Sequence, residues 1–337
     1  MIKKAVLPKN YLFLKNRNFL EKFFSNFYSK PEVLKIKISS IKMSGNLKIF
    51  GEYKIKERNK IKKVFAIHRF LGTKIEEFEI LKYLFNFKFR EPKFLIPRSL
   101  FYFKKEKIIF YEALEGAPLS EIKGELLLKI LKSKTKALSL ALTQLQKTKP
   151  KAKIYDLEDD LRKFKVFENV LKKYFKKKVE RDLIEELFSK LITKRRCYFE
   201  NLKNFSFCHN DLTFGNLIYQ KGKIGLIDFS ESCFSDPLTD VGTFLAQLDY
   251  LLYLFPNKIK EIRKLRKEFK DSYLKLARKE LKKEAGERIA VYRSWANLKN
   301  AIFVLGAEER FQNREACLWF LKLSQKILQE APLSVFC

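Results

Sequence analysis

Hydrophobic and polar positions alternate over residues 34–70, in the runs LKIKISSIKM, LKIFGEYKIKE and KKVFAIHRF. This period of two, rich in β-branched and aromatic residues, predicts strands; Ser44-Gly45-Asn46 and Arg58-Asn59-Lys60 mark the turns between them. The period then lengthens. Ile75, Phe78, Leu81 and Leu84 fall on one face of a predicted helix over 74–87. Two further strands, 100–103 and 108–113, flank a Lys104-Lys105-Glu106-Lys107 turn, and LEGAPL at 114–119 breaks the pattern with Gly and Pro. Beyond it the chain is predominantly helical: one helix over 124–148, a Lys/Glu-rich helical stretch over 157–199, and a helical tail from Asp236. There Asp236 is a good N-cap and Pro237 suits the first helical position.

One interruption of the helical half carries chemistry. An apolar run, 205–208, leads into His209 and Asp211; Asn216 follows five positions after Asp211. The strand-like pair Leu217-Ile218 follows at once, and a Lys221-Gly222-Lys223 turn then leads to a second apolar run, 224–227, ending on Asp228. This pattern predicts a β-hairpin with Asp211, Asn216 and Asp228 converging at its mouth. Phosphoryl transfer from a nucleotide needs such a set: one carboxylate to orient the attacking hydroxyl, and an amide oxygen and a second carboxylate to hold Mg²⁺ against the phosphates.

At these residues the chain resembles the aminoglycoside phosphotransferase and choline kinase superfamily, relatives of the protein kinases. The matching motifs are His209-x-Asp211-x-x-x-x-Asn216, Ile227-Asp228-Phe229, and Asp236-Pro237-Leu238-Thr239-Asp240 opening a helix. The resemblance covers roughly 34–250 and implies an α+β, bilobal protein-kinase-like fold. Its N-terminal lobe, 1–113, would hold a small antiparallel sheet and one main helix. The larger helical C-terminal lobe, 114–337, would carry the catalytic hairpin 205–229. It also implies ATP and Mg²⁺ as cofactors, Asp211 as the catalytic residue, and Asn216 and Asp228 as metal ligands. His209 is expected to pack rather than react, and Asp240 to bond backbone N–H groups of the catalytic loop.

The small lobe departs from the family. Where kinases carry Ala-x-Lys on the third strand, this chain reads Ala66-Ile67-His68. Alternation puts Ala66 and His68 on one face, so His68 is expected in the lysine's place, with Arg69 as the alternative phosphate grip. Glu77, in Glu-x-x-x-Leu-x-x-Leu, is the expected carboxylate partner and would raise the His68 pKa. Ser44 and Gly45 stand where a phosphate-covering loop belongs. Glu112 and Leu114 stand where the interlobe hinge would pair through its backbone with adenine.

Composition narrows the rest. At 337 residues, 46% hydrophobic and 15% aromatic, the chain can bury a substantial core. Its start has no signal-peptide pattern, and no segment is apolar for the length of a membrane span, so a cytoplasmic location is expected. Five cysteines without a C-x-x-C pair read as reduced thiols. The net charge of +32 invites a polyanion. The lysines are spread over Glu-rich helices, however, and no RNA-binding fingerprint accompanies them, so nucleic acid is not expected; peripheral contact with an anionic membrane stays open. The charge also disfavours a polycationic aminoglycoside as acceptor. The leading expectation is an ATP- and Mg²⁺-dependent kinase phosphorylating a hydroxyl of a sugar, amino alcohol or glycan-like acceptor. The alternative is a pseudokinase-type scaffold, motivated by His68. Tyr292, Trp295 and Trp319 are candidates for an aromatic acceptor wall, against an ordinary core role.

Overall fold

The computed structural model describes residues 3–43, 46–69, 72–277, 279–282, 285–306 and 313–331. A six-stranded antiparallel sheet comes first: β1 (Lys3–Lys4), β2 (Glu32–Met43), β3 (Asn46–Glu57), β4 (Lys60–His68), β5 (Ser99–Phe103) and β6 (Ile108–Glu112), in the order β1-β2-β3-β4-β6-β5. Between β1 and β2 lie a 3₁₀ turn, Lys9–Lys15, and helix α1 (Arg17–Phe24), capped by the Asn16 side chain accepting from the Phe19 N–H. Helix α2 (Ile75–Asn86) lies between β4 and β5.

Alternation along β4 feeds two cores. Val64 and Ala66 are buried with Leu14, Leu20 and Phe24 of the N-terminal segment, while Phe65 and Ile67 pack toward Ile80, Leu81 and Leu84 of α2 and the helical half. Both faces of this sheet are therefore covered, one by residues 7–28 and the other by α2 and the rest of the chain.

The chain leaves the sheet at Ala113, whose N–H bonds the Lys63 carbonyl, and lays a two-residue strand, β7 (Ala117–Pro118), against the hairpin to come. Gly116 is required here, because a Cβ would collide with the Tyr219 carbonyl. Helices α3 (Gly124–Leu145), α4 (Leu157–Tyr174) and α5 (Lys178–Glu200) follow. The single helical stretch predicted over 157–199 is two helices, broken at Phe175, which is extended and fully buried.

Strand β8 (Ser206–Cys208) enters the site, and β9 (Leu217–Gln220) and β10 (Lys223–Leu226) form the hairpin. Gln220 pairs with Lys223 across Lys221 (φ 46°) and Gly222 (φ 80°), the two left-handed residues of a tight hairpin turn. Strand β11 (Cys233–Ser235) pairs with β8. Helices α6 (Leu238–Leu254), α7 (Ile259–Leu276), α8 (Lys279–Lys282), α9 (Ala285–Gly306) and α10 (Arg314–Glu330) complete the chain. This is the bilobal, protein-kinase-like α+β architecture the motifs imply. Cys208, Cys233 and Cys317 are free, buried thiols, whereas Cys197 is disulfide-bonded, which the all-thiol reading did not expect. Among the described residues no helix is long and apolar enough to cross a membrane.

Candidate active site

Asp211, Asn216 and Asp228 meet at the hairpin mouth because the backbone folds the loop onto itself. The Asp211 carbonyl accepts from the Thr213 N–H at 2.8 Å, and the Asn216 carbonyl accepts from the Ile227 N–H at 3.0 Å, placing Asn216 beside the residue preceding Asp228. The Asn216 amide nitrogen donates to the Asp211 carbonyl and to its Oδ2, both at 2.8 Å. Those bonds assign the NH₂ end of the amide to Asp211 and leave its oxygen to face elsewhere. Asp228 holds a left-handed backbone at φ 62°, a conformation that Asp tolerates better than most residues. Its Oδ1 accepts from the Ser230 hydroxyl at 2.7 Å.

His209 and Asp240 build the floor. The His209 Nε2 donates to the Ile227 carbonyl at 2.9 Å, and its ring meets Phe229 edge-on with centroids 5.0 Å apart. This packing pins the two motifs together. Asp240, fully buried in the first turn of α6, accepts the N–H groups of His209 (3.0 Å) and Asn210 (2.8 Å). Burial pushes the Asp240 carboxyl up, against the pull of those donors. Asp240→Ala should strand the buried His209 donor and expose the part-buried Asn210 donor to water, and cost roughly 1–3 kcal/mol. Chemical denaturation read by circular dichroism measures this, and a loss under about 1 kcal/mol would mean water replaces the carboxylate.

The basic residue that reaches this mouth is Arg69, not His68. Its Nη2 lies 2.7 Å from Asp228 Oδ1 and 2.7 Å from Glu77 Oε1; Nη1 reaches Asp228 Oδ2 at 3.2 Å and Nε reaches Glu77 Oε2 at 3.1 Å. One guanidinium fork thus clamps a carboxylate of α2 to the carboxylate of the hairpin. Burial disfavours the Arg69 charge, but Glu77 and Asp228 outweigh it and raise its pKa. Burial would likewise raise Asp228, yet Arg69, with Ser230, holds its carboxyl below the ordinary value. Glu77, 5% exposed, is pushed up by burial against the Arg69 hydrogen bond and charge.

His68 faces the other side of β4. Its Nδ1 donates to the Glu106 carbonyl at 2.9 Å, and its ring packs on Tyr11 with centroids 5.3 Å apart. Its pKa is lowered by burial, partly offset by the Glu106 and Lys107 carbonyls, not raised by Glu77. Ala66 goes with it into the core formed with residues 7–28. The alternation along β4 holds, but with the opposite face toward the site: Phe65, Ile67 and Arg69 look toward the hairpin. His68→Lys should therefore leave ATP affinity unchanged and destabilise the fold by about 1–3 kcal/mol, since it buries an ammonium beside Tyr11. Nucleotide titration and thermal denaturation check this; a gain in ATP affinity would overturn the assignment of faces.

Glu112 directs its carboxylate away from the hairpin, accepting from the Tyr28 hydroxyl at 3.0 Å and pairing with Arg98 and Lys62. Only its backbone can serve a cleft ligand. The Leu114 side chain lies against Gly225 of β10, where a Cβ would displace it. Ser44 and Gly45 lie outside the described residues. Tyr292 and Trp295 are buried, Tyr292 donating its hydroxyl to Asp236 at 2.8 Å, and Trp319 packs on Tyr253 and Phe320; all three belong to the core. Of the two basic residues the sequence offers here, the structure brings the alternative, Arg69, to the site; it is the next position on the Phe65-Ile67 face.

Residues 53–261 match the model of the phosphotransferase enzyme family. The chain belongs to that family. Its matched span runs from the middle of the sheet through the hairpin and α6, so it contains Arg69, Glu77, Asp211, Asn216, Asp228 and Asp240 together. Among solved structures, the choline kinase LicA from Streptococcus pneumoniae superposes with a TM-score of 0.54 at 15% identity, over 94% of this chain and 99% of that one. A choline/ethanolamine kinase family protein from Mesorhizobium loti gives 0.55 at 13% identity, over 83% and 86%. A thermostable mutant of the aminoglycoside phosphotransferase APH(4)-Ia, in ternary complex with ADP and hygromycin B, gives 0.54 at 12%, over 94% and 99%. At such identities the likeness concerns the fold. No curated protein matches the chain by sequence.

Proposed function

We propose that this family member is a cytoplasmic kinase that transfers the γ-phosphate of ATP, with Mg²⁺, to a hydroxyl of a small acceptor such as a sugar, amino alcohol or glycan fragment. The observation that carries the reading is the convergence of Asp211, Asn216 and Asp228 at one hairpin mouth, joined through Arg69 to Glu77. In this reading residues 1–113 and 114–337 are the two lobes around the nucleotide. The backbone of Glu112 and Leu114 meets adenine where the chain leaves the sheet.

Each residue then has a task. Asp211 accepts a hydrogen bond from the acceptor hydroxyl, aligns it with the γ-phosphorus, and takes the proton as the new O–P bond forms and ADP departs. Asn216 holds Asp211 in place through its NH₂ group. Arg69, four of whose five N–H groups are taken by Glu77 and Asp228, keeps its grip on Glu77 and turns its remaining Nη1 N–H to the phosphates, which suits a planar guanidinium. The Asn216 amide oxygen and the Asp228 carboxylate are hard donors, and Mg²⁺ characteristically uses one or two such protein ligands with water and phosphate oxygens. That the Asn216 NH₂ is committed to Asp211 supports the fit, because the free end of its amide is the oxygen. The metal, when bound, supplies charge neutralisation for the transferring group.

The scaffold alternative loses its motive, because the position expected of His68 is taken by a permanently charged arginine. Thermal denaturation with ATP plus Mg²⁺ tests the reading: saturation to about a hundred times the dissociation constant should add roughly 2.7 kcal/mol. ADP release across a panel of sugars, amino alcohols and glycan fragments then identifies the acceptor. No stabilisation at millimolar ATP, together with no ADP release, would sink the proposal.

A further inference from the structure

A surface of phenylalanine rings lies on the side of the sheet covered by the N-terminal segment, away from the hairpin. Phe19 and Phe101 are 37% and 41% exposed, and Leu12 is 49% exposed. The rings touch in sequence: Phe19 stacks over Phe23 with centroids 6.2 Å apart, Phe23 meets Phe101 at 5.7 Å, and Phe101 meets Phe103 at 4.9 Å. A contiguous apolar patch of this kind, unlike scattered exposed residues, marks an interaction surface. Phe101 and Phe103 lie on β5, an edge strand of the sheet.

The charge around the rings indicates what covers them. Lys15 and Lys22 flank Phe19 in sequence, and Lys104 and Lys105 follow Phe103; all four are exposed, and among the described residues none forms an ion pair. The acid within α1, Glu21, turns inward to accept from the Val33 N–H at 3.0 Å, and the acid of the β5–β6 turn, Glu106, is half-buried beside its lysines. Aromatic rings that enter the headgroup region, rimmed by lysines that keep their ammonium groups in water, are the chemistry of attachment to an anionic lipid surface. A second copy of the chain fits poorly, since each carries a net charge of +32 and would set lysine rim against lysine rim.

We propose that this face docks the protein on the surface of an anionic phospholipid bilayer. The attachment is peripheral: the rings reach the headgroup boundary, the lysines neutralise lipid charge, and the hairpin mouth on the other side of the sheet stays open to its substrates. The inference does not depend on the catalytic reading, and its test involves no turnover.

The test is co-sedimentation of the full chain with vesicles of phosphatidylcholine alone and of phosphatidylcholine containing half phosphatidylglycerol. The Phe19→Ser/Phe101→Ser and Lys22→Glu/Lys104→Glu variants are compared, with thermal denaturation confirming that both remain folded. The expected result is binding to the anionic vesicles only. It should weaken at least about tenfold in the phenylalanine variant and by about twentyfold or more in the lysine variant, at roughly fivefold per residue. Absence of wild-type binding overturns the proposal. So does binding that the phenylalanine variant retains in full and that about 0.5 M salt abolishes, which would be the diffuse attraction of a polycation. Light scattering that shows a wild-type dimer dissolved by the phenylalanine substitutions would assign the patch to a second copy instead and overturn it equally.

Discussion

Asp211→Asn should lower the rate of phosphoryl transfer by about 10²- to 10⁴-fold, the range of a general-base contribution, while the affinity for ATP stays within about threefold. The structure makes this a clean substitution. The Asp211 side chain accepts from the Asn216 NH₂ at 2.8 Å, and an asparagine carbonyl can accept the same bond. What disappears is the negative charge that, in the proposed mechanism, orients the acceptor hydroxyl and receives its proton. Steady-state kinetics with ATP and the identified acceptor separate the two effects, because kcat should fall with little change in KM for ATP. A parallel loss of ATP affinity would show that Asp211 maintains the shape of the loop and does not act on the acceptor.

Asp228→Ala should be at least as damaging to turnover, by about a thousandfold or more (~4 kcal/mol at the transition state), and should remove the dependence of the residual rate on Mg²⁺. The effect on stability should be small. The Asp228 side chain is 34% exposed, and its partner Arg69 keeps two hydrogen bonds to Glu77 when Asp228 is removed. Relief of a left-handed backbone at φ 62° does not follow from alanine, which tolerates that region less well than aspartate. A net loss of about 1–2 kcal/mol is the expected outcome in denaturation. Near-normal turnover with unchanged Mg²⁺ dependence would rule out Asp228 as a metal ligand. A collapse of stability would instead mean that the Arg69 clamp between α2 and the hairpin holds the lobes together.

The sequence by itself determined the hairpin of the candidate site. Asp211, Asn216 and Asp228 lie within eighteen positions of one another, so their meeting depends on local turns: the Lys221-Gly222 reversal, the loop from 209 to 216, and two apolar strands that must pair to be buried. Local chemistry also set His209 against Phe229 and Asp240 beneath the loop, since a helix-start carboxylate naturally faces free N–H groups. What only the tertiary structure decided is which side of β4 faces the site. Alternation tells that His68 and Arg69 point to opposite faces, but a strand buried on both sides gives no polar face to orient it. The choice was made by residues 7–28, whose apolar side chains cover the face carrying Val64, Ala66 and His68. The weak regular pattern of that segment did not predict a lobe-covering role. With that face taken, Arg69 alone of the two bases is left to reach Glu77, eight positions away in sequence, and Asp228, which lies in the other half of the chain; the pairing with Asp228, across such a sequence separation, is fixed by packing and not by any local period.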